Sequence, residues 1–265
     1  MVNNAERFTG FADVYDQARP HLPAFSREII RQYLGHAPDT VVDLGCGTGL
    51  STAAWTGECR QAIGIEPSPD MLKVAREKAA DGIRFCQAFG HDTGLAGGIA
   101  DVVVCSQSFH WMEPAATLRE VNRLLAPGGV FATVDCDWPP VCGYQAEKAY
   151  QELFSLVRDI ETGHPDNRST FTRWEKEKHL QNIRSCGYFA FVRELVFANS
   201  ESCDARRLIR LALSQGSLQT ILKRHPEWIE DALEHFKREI LTHFGEEERT
   251  VYFGYRMRVG VKENG

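Results

Sequence analysis

Two acidic residues and three glycines carry the most distinctive chemistry in the chain. Asp43 stands just ahead of Gly45, Gly47 and Gly49, which occupy alternate positions in the stretch Val41-Val42-Asp43-Leu44-Gly45-Cys46-Gly47-Thr48-Gly49-Leu50. Residues without Cβ let the backbone turn sharply and bring its N–H groups close to a ligand. The spacing G-x-G-x-G, with no lysine, departs both from the dinucleotide fingerprint G-x-G-x-x-G and from the phosphate loop G-x-x-x-x-G-K-[ST]. A carboxylate two positions before the first glycine would repel a pyrophosphate, yet it would accept hydrogen bonds from an ammonium group, directly or through water. Glu66 closes the next apolar run, the place where one carboxylate can hold a ribose hydroxyl pair. The loop therefore suits a nucleoside carrying an amino acid better than one carrying phosphates.

The elements that must position these groups follow from apolar patterning. Residues 41–44 and 61–65 are short apolar runs that read as buried parallel strands, and residues 51–55 begin a helix directly after the glycines. Ser68 can cap a helix through Met71, Leu72, Val74 and Ala75 to about Ala80. Residues 83–88 read as a third strand and 101–105 as a fourth. Residues 115–125 follow helical periodicity, 126–129 turn the chain, and 130–134 form a fifth strand. Residues 23–34 make a packing helix stopped by Gly35. Further on, 144–159 reads as a helix and 162–170 as a polar loop, while 174–185 mixes both charge signs like a solvated helix face. Residues 188–197 give a sixth strand, 208–213 and 226–244 helices, and 250–261 a final strand. In such an alternating α/β chain, ligands gather at the carboxyl ends of the strands.

Composition narrows the partners. The 265 residues are 43% hydrophobic, enough for a buried sheet, and the formal net charge of -6 argues against a nucleic-acid footprint. No run approaches the ~18 apolar residues of a membrane span, and residues 1–6 lack the basic and apolar parts of a secretory signal, which points to a cytoplasmic protein. Eight cysteines occur without any C-x-x-C pair, so reduced, mostly buried thiols are expected and no structural metal. Asp135 and Asp137 at the end of the fifth strand are paired acids of the kind that hold Mg²⁺, but no third acid or acid–amide pair stands nearby in sequence to complete such a site.

Residues 41–50, 63–71, 101–114 and 124–135, and more loosely 8–23, resemble the class I S-adenosylmethionine-dependent methyltransferases, particularly the small-molecule branch that includes trans-aconitate methyltransferase-like proteins. The resemblance covers about the first half of the chain. It implies a doubly wound, mostly parallel, seven-stranded Rossmann-like sheet with helices on both faces and a partial helical lid. It further implies one methyltransferase domain over 1–265: an N-terminal segment 1–37 over the cofactor, a cofactor-binding core 38–137, and lid or substrate insertions at 138–186 and 198–248.

By the same resemblance, S-adenosylmethionine would be held by Arg19, Asp43, Gly45, Cys46, Gly47, Glu66, Pro67, Met71, Phe89 and Ser106. The planar fork of Arg19 suits the methionine carboxylate. Many relatives carry an aspartate near Phe89 for the adenine amino group, so here Phe89 would stack on the base, with a backbone group or Asp92 supplying the hydrogen bond. Phe11, Tyr15, His110, Trp111 and Trp138 would wall the substrate pocket, and Phe11 and Tyr15 could face the sulfonium charge. His110 is either a general base, with an unperturbed pKa of about 6.5, or a wall residue orienting Ser106 or Gln107; the wall role is favoured. The implied activity is methyl transfer to a small-molecule acceptor, such as a carboxylate or another oxygen nucleophile, by a monomer or homodimer without nucleic-acid or membrane partners. Two alternatives are a non-catalytic S-adenosylmethionine-binding protein and a nicotinamide-dependent oxidoreductase. Arg168, Arg173, Lys176 and Lys178 could attract an acidic small molecule, though a charged, solvated face is the plainer reading.

Overall fold

A computed structural model describes residues 12–164 and 172–264, so Phe11, Arg168 and the first part of the N-terminal segment lie outside the described residues. The elements follow the alternation read from sequence. They are α1 (Ala12–Ala18), α2 (Ala24–Leu34), β1 (Thr40–Leu44), α3 (Leu50–Ala53), β2 (Gln61–Ile65), α4 (Pro69–Arg76), β3 (Ile83–Cys86), β4 (Ala100–Ser106), α5 (Pro114–Leu124) and β5 (Leu125–Cys136). After these come α6 (Tyr144–Gly163), α7 (His179–Ser185), β6 (Phe189–Cys203), α8 (Ala205–Leu213), α9 (Gly216–Arg224), α10 (Glu230–Phe244) and β7 (Arg249–Lys262).

The seven strands lie in the order β3-β2-β1-β4-β5-β7-β6. β1 pairs in parallel with β2 and β4, β2 with β3, and β4 with β5, whereas β7 runs antiparallel to β5, from Val130 opposite Val261 to Cys136 opposite Tyr255. The strand order reverses between β1 and β4, which opens a crevice at their carboxyl ends. The runs that read as buried strands are buried: Val41, Val42, Leu44, Ile63, Ile65, Val103 and Phe131 have no exposed surface. Each such side chain contributes ~1.5–3 kcal/mol relative to an exposed one. At the other end of the central pair, Asp101 Oδ2 accepts from the backbone N–H groups of Asp39 (2.7 Å) and Thr40 (2.9 Å), tying the start of β1 to β4.

The chain divides into two compact units. The larger comprises residues 21–136, 173–197 and 255–265; the smaller comprises 1–20, 137–172 and 198–254. Within the smaller unit α6 and α10 pack through Tyr150 and Phe236, whose rings meet edge to face at 6.2 Å. Within the larger, Phe109, Phe131 and Ile183 join the core beneath β4 and β5. All eight cysteines are free thiols. No helix among the described residues is long and apolar enough to cross a membrane.

Several boundaries differ from the sequence reading. Residues 126–129, expected to be a turn, belong to β5, which begins with Leu125 paired to Ala100 and meets β4 again at Val102 after a register shift. The helix after the glycines is a single turn, and the stretch 216–224, not assigned from sequence, is helical.

Candidate functional site

The three glycines of the β1–α3 turn serve two different needs. All have positive φ: 68° at Gly45, 57° at Gly47 and 84° at Gly49. A Cβ on Gly45 would stand 2.6 Å from Met112 Cε and 2.7 Å from Ser108 Cβ, and one on Gly49 would stand 2.8 Å from Phe85 Cζ. A Cβ on Gly47 would meet nothing within 4 Å. The outer glycines let neighbouring elements close in, whereas the middle one leaves bare backbone facing open space. The turn is fixed over β2 by Gly45 N–H and Cys46 N–H, both donating to Ile65 O (2.8 and 3.0 Å). Ser108 Oγ donates to Leu44 O at 2.6 Å, binding the β4 loop to the same turn. Sequence spacing does not reveal this contact, because a serine beyond a strand carries no signal of its partner.

Asp43 and Glu66 flank this turn. Asp43 is fully buried, and its Oδ2 accepts from Ser51 Oγ (2.6 Å) and Thr52 Oγ1 (2.7 Å). Its Oδ1 is equally buried and has no hydrogen-bond partner. Burial pushes its carboxyl up to about 6 in spite of the two hydroxyls. Glu66 is 7% exposed; Oε2 accepts from Gly47 N–H (3.0 Å) and Oε1 from Ser68 N–H (2.9 Å). Burial pushes this carboxyl up to about 7 against those two N–H groups. Cys46 is buried beside both acids, and burial, followed by their negative charge, holds its thiol well above the usual range.

These features pass a test of fit for an adenosyl amino acid. A buried carboxylate oxygen without a donor costs ~1–3 kcal/mol until something supplies one, and an ammonium group supplies both the donor and the missing positive charge. Bare backbone at Gly47 leaves space for the ligand body next to it, and Glu66, anchored to the same loop, keeps lone pairs for a hydroxyl pair.

The remaining expected residues are distributed as follows. Pro67 follows Glu66 directly, and its carbonyl accepts from Gln87 Nε2 at 3.2 Å. Met71 is 1% exposed and packs as core, its backbone N–H reaching the capping Ser68. Phe89, just beyond the end of β3, is 45% exposed, with its ring 5.5 Å from that of His91 and tilted 32° to it. Ser106 ends β4, and His110 and Trp111 lie on the short 3₁₀ turn that follows, with ring centroids 4.7 Å apart. Arg19, Tyr15 and Trp138 belong to the smaller unit. There Arg19 donates to Ser214 Oγ (2.9 Å) and Ser214 O (3.0 Å), with its guanidinium 4.8 Å from the ring centres of both Tyr15 and Trp138.

A second cluster, not foreseen, is centred on Asp135 in the larger unit. Its Oδ2 is 2.8 Å from Arg258 Nη1 and 3.2 Å from His179 Nδ1; its Oδ1 is 3.1 Å from Lys176 Nζ and 3.6 Å from His110 Nδ1. Lys176 also donates to Gln107 Oε1 at 3.2 Å, and Arg258 Nε to Glu194 Oε2 at 2.8 Å. Burial alone would raise the Asp135 carboxyl, but the two imidazoles and the Lys176 ammonium hold it well below the usual range. Burial drives His110 down to about 3; Asp135 opposes this and Lys176 adds to it, so the imidazole is neutral near pH 7. The stretch 174–185 is accordingly more than a solvated face: His179 is fully buried and the Lys176 side chain is 18% exposed. The alternating charges of Glu175-Lys176-Glu177-Lys178 conceal which one turns inward.

The methyltransferase domain family matches residues 42–133. A probable S-adenosylmethionine-dependent methyltransferase of Saccharomyces cerevisiae is 30% identical over 125 residues, covering 44% of this chain and 43% of the relative. A trans-aconitate 2-methyltransferase of Rhodopseudomonas palustris is 35% identical over 135 residues, covering 49% and 48%. The chain thus spans about half the length of the curated relatives it matches. A solved structure from Anaeromyxobacter dehalogenans, assigned as a type II methyltransferase, superposes with a TM-score of 0.71 at 18% identity, over 93% of this chain and 99% of that one. The chain therefore shares the fold of that structure, a seven-stranded, mostly parallel Rossmann-like sheet, and residues 42–133, which hold the glycine turn, Asp43, Glu66 and His110, match the methyltransferase domain family.

Proposed function

We propose that this protein binds S-adenosylmethionine at the β1–α3 turn and transfers its methyl group to a small-molecule acceptor, an oxygen nucleophile such as a carboxylate, by direct in-line displacement. The observation that carries this reading is the unpartnered, fully buried Oδ1 of Asp43 beside the bare backbone of Gly47. Neither a phosphate nor a neutral ring would relieve that carboxylate; an amino acid ammonium does. The matched domain and the relatives' names support the same reading.

The cofactor supplies an electrophilic methyl on a neutral leaving group, so the demands on the chain are modest. Asp43 holds the amino group, Glu66 the ribose hydroxyls, and the backbone at Gly47 lets the ligand approach. Holding the reactants in line accounts for roughly 7–11 kcal/mol of barrier lowering in well-aligned reactions. His110 stays neutral and, with its Nδ1 turned to Asp135, serves to shape and orient the acceptor side rather than to accept a proton.

The test is calorimetry of the purified protein with S-adenosylmethionine and S-adenosylhomocysteine, followed by a mass-spectrometric screen for methylated product. Trans-aconitate, the compound in the name of one relative, is the first acceptor to try. Binding with release of S-adenosylhomocysteine in the presence of an acceptor supports the proposal. Absence of binding by well-folded protein overturns it.

A further inference from the structure

Within the larger unit, one short piece of chain, residues 108–112, touches both the glycine turn and the Asp135 cluster. Its 3₁₀ turn is closed by Trp111 N–H donating to Ser108 O at 2.9 Å and by Met112 N–H donating to Phe109 O at 3.1 Å. On the cofactor side both ends of this piece grip the β1–α3 turn: Ser108 Oγ donates to Leu44 O, and the Met112 side chain packs on Gly45. On the acceptor side His110 Nδ1 stands 3.6 Å from Asp135 Oδ1, and His110 O accepts from Trp174 N–H at 2.9 Å.

Met112 lies over two bare stretches of backbone at once. A Cβ on Gly45 would stand 2.6 Å from its Cε, and a Cβ on Gly90, in the loop after β3, would stand 2.7 Å from its Sδ and 3.2 Å from its Cε. No Cβ fits at either position without displacing that side chain. Gly90 is buried and is not among the glycines with positive φ, so close approach, rather than backbone conformation, is what requires glycine there. The far end of the same loop is fastened to α5, where Glu120 Oε1 accepts from Thr93 N–H (3.0 Å) and Thr93 Oγ1 (2.5 Å). Ser108 meets only the β1 side of this arrangement, whereas Met112 meets both loops. A thioether on three rotatable bonds fits two surfaces together, and in a close-packed interior a shift of either glycine must be taken up by the side chain between them.

We infer that Met112 is a positioning residue that relays occupation of the cofactor turn to the acceptor side, so that the turn carrying His110 and Trp111 is held in one arrangement when the cofactor is bound and loosened when it is absent. This rests on the cofactor reading above. The ligand ammonium that completes Asp43 draws the glycine turn toward it. Gly45 then bears on Met112, and Met112 carries residues 109–112 against Asp135 and Trp174. By reciprocity, an ordered acceptor turn strengthens cofactor binding by the same factor. The acceptor therefore meets a prepared surface in the cofactor complex and a looser one in the free chain.

The experiment uses the full chain and three variants, Met112→Ala, Met112→Leu and Gly90→Ala. Met112→Leu keeps most of the apolar volume but removes the terminal methyl that faces Gly45, and Gly90→Ala puts a methyl group where Sδ lies. Affinity for S-adenosylhomocysteine is measured first by calorimetry. Amide hydrogen exchange is then followed by NMR with and without saturating S-adenosylhomocysteine, relative to the Val259 amide of β7, which reports overall stabilisation. Gly45 and Cys46 N–H, donating to Ile65 O, report the cofactor turn; Trp111 and Met112 N–H report the relay; Trp174 N–H, donating to His110 O, reports the acceptor side. In the unaltered chain the ligand is expected to slow exchange at all three places by about fivefold or more, the lower end of ordinary coupling between sites. In the variants the slowing is expected to persist at Gly45 and Cys46 but to fall below about twofold at Trp111, Met112 and Trp174, with affinity for S-adenosylhomocysteine kept within about tenfold. A Met112 that only fills space would change exchange equally with and without ligand and leave the ligand-induced slowing in place, which overturns the inference. So does slowing confined to the cofactor turn in the unaltered chain, or a folded variant that no longer binds S-adenosylhomocysteine, since Met112 would then belong to the cradle itself. If Met112→Ala does not fold, Met112→Leu and Gly90→Ala decide the question. Failure of the unaltered chain to bind S-adenosylhomocysteine overturns the cofactor reading, and shows at the calorimetric stage.

Discussion

Asp43 at β1 and Asp135 at β5 are the same side chain, buried to nearly the same degree in one sheet, yet their surroundings drive them in opposite directions. Asp43 has two hydroxyls on one oxygen and nothing on the other, and burial pushes its carboxyl up to about 6. Asp135 is surrounded by Lys176, Arg258, His179 and His110, and these hold it well below the usual range against the same burial penalty. The protein completes the charge balance at one position and leaves it open at the other. A carboxylate already compensated by its own chain holds the fold together; one left short of a cation is suited to receive it from a ligand.

The largest test of this contrast is on stability. Asp135→Ala leaves the buried Arg258 with Glu194 alone, and removing one partner of a buried pair costs about 3–5 kcal/mol. The expected fall in Tm is of order 10 °C, at about 2–4 °C per kcal/mol for a chain of this size. Asp43→Asn, in contrast, keeps a group able to meet Ser51 and Thr52 and removes an uncompensated charge, so Tm is expected to stay within about 2 °C. Thermal unfolding of both variants in parallel checks the pair, and equal losses would break the comparison.

Ligand affinity should reverse that ranking. Asp43→Ala and Glu66→Ala are each expected to weaken S-adenosylhomocysteine binding by about ten- to a hundredfold, the range for hydrogen bonds to charged groups. The folds should remain intact by circular dichroism. Normal affinity in both variants would remove the assigned cradle.

The pH dependence sharpens the comparison further. Asp43 and Glu66 have folded-state values raised to about 6 and 7. The folded, ligand-free protein therefore holds protons there that the unfolded chain gives up. That contribution to stability is fully present below an unfolded carboxyl pKa of about 4 and is lost as pH rises through 6 to 7. For Asp135 the sign is opposite: its contribution is present above about 3.9 and is lost as pH falls through its depressed folded value. Binding of a cationic ligand needs the cradle ionised, so S-adenosylhomocysteine affinity should strengthen between about pH 5.5 and pH 8, with proton release visible as a buffer-dependent binding enthalpy. A flat profile would contradict the raised carboxyl values.

The smallest expected effect is at His110. If it orients the acceptor, His110→Asn lowers kcat by less than about tenfold, whereas loss of a general base would cost roughly 10²–10⁴-fold. Turnover measured across neutral pH separates these outcomes.

The legibility of the two regions in the sequence differs for a physical reason. The cradle is compressed into residues 41–52 plus Glu66, where an apolar run, glycines without Cβ and two hydroxyl residues declare strand, turn and helix in order. The parallel strands were legible in the same way, because buried strands are continuous apolar runs. The Asp135 cluster joins positions 107, 110, 135, 176, 179, 194 and 258, drawn from five separate stretches of chain. Nothing local distinguishes Lys176 from Lys178 until β5 and β7 supply Asp135 and Arg258. The start of β5 was concealed because Pro127, Gly128 and Gly129 read as a turn, although Leu125 already pairs with Ala100. Arg19 had a recognisable side chain, but its partners within the smaller unit, Ser214 and Trp138, were invisible to sequence spacing.

The most direct measurement is calorimetric titration of S-adenosylhomocysteine into the unaltered protein and into Asp43→Ala at about pH 8, above both raised carboxyl values. Saturable binding by the first, weakened at least about tenfold in the second, is the result this account requires. No heat with the unaltered, folded protein, or the same affinity in both, would contradict it.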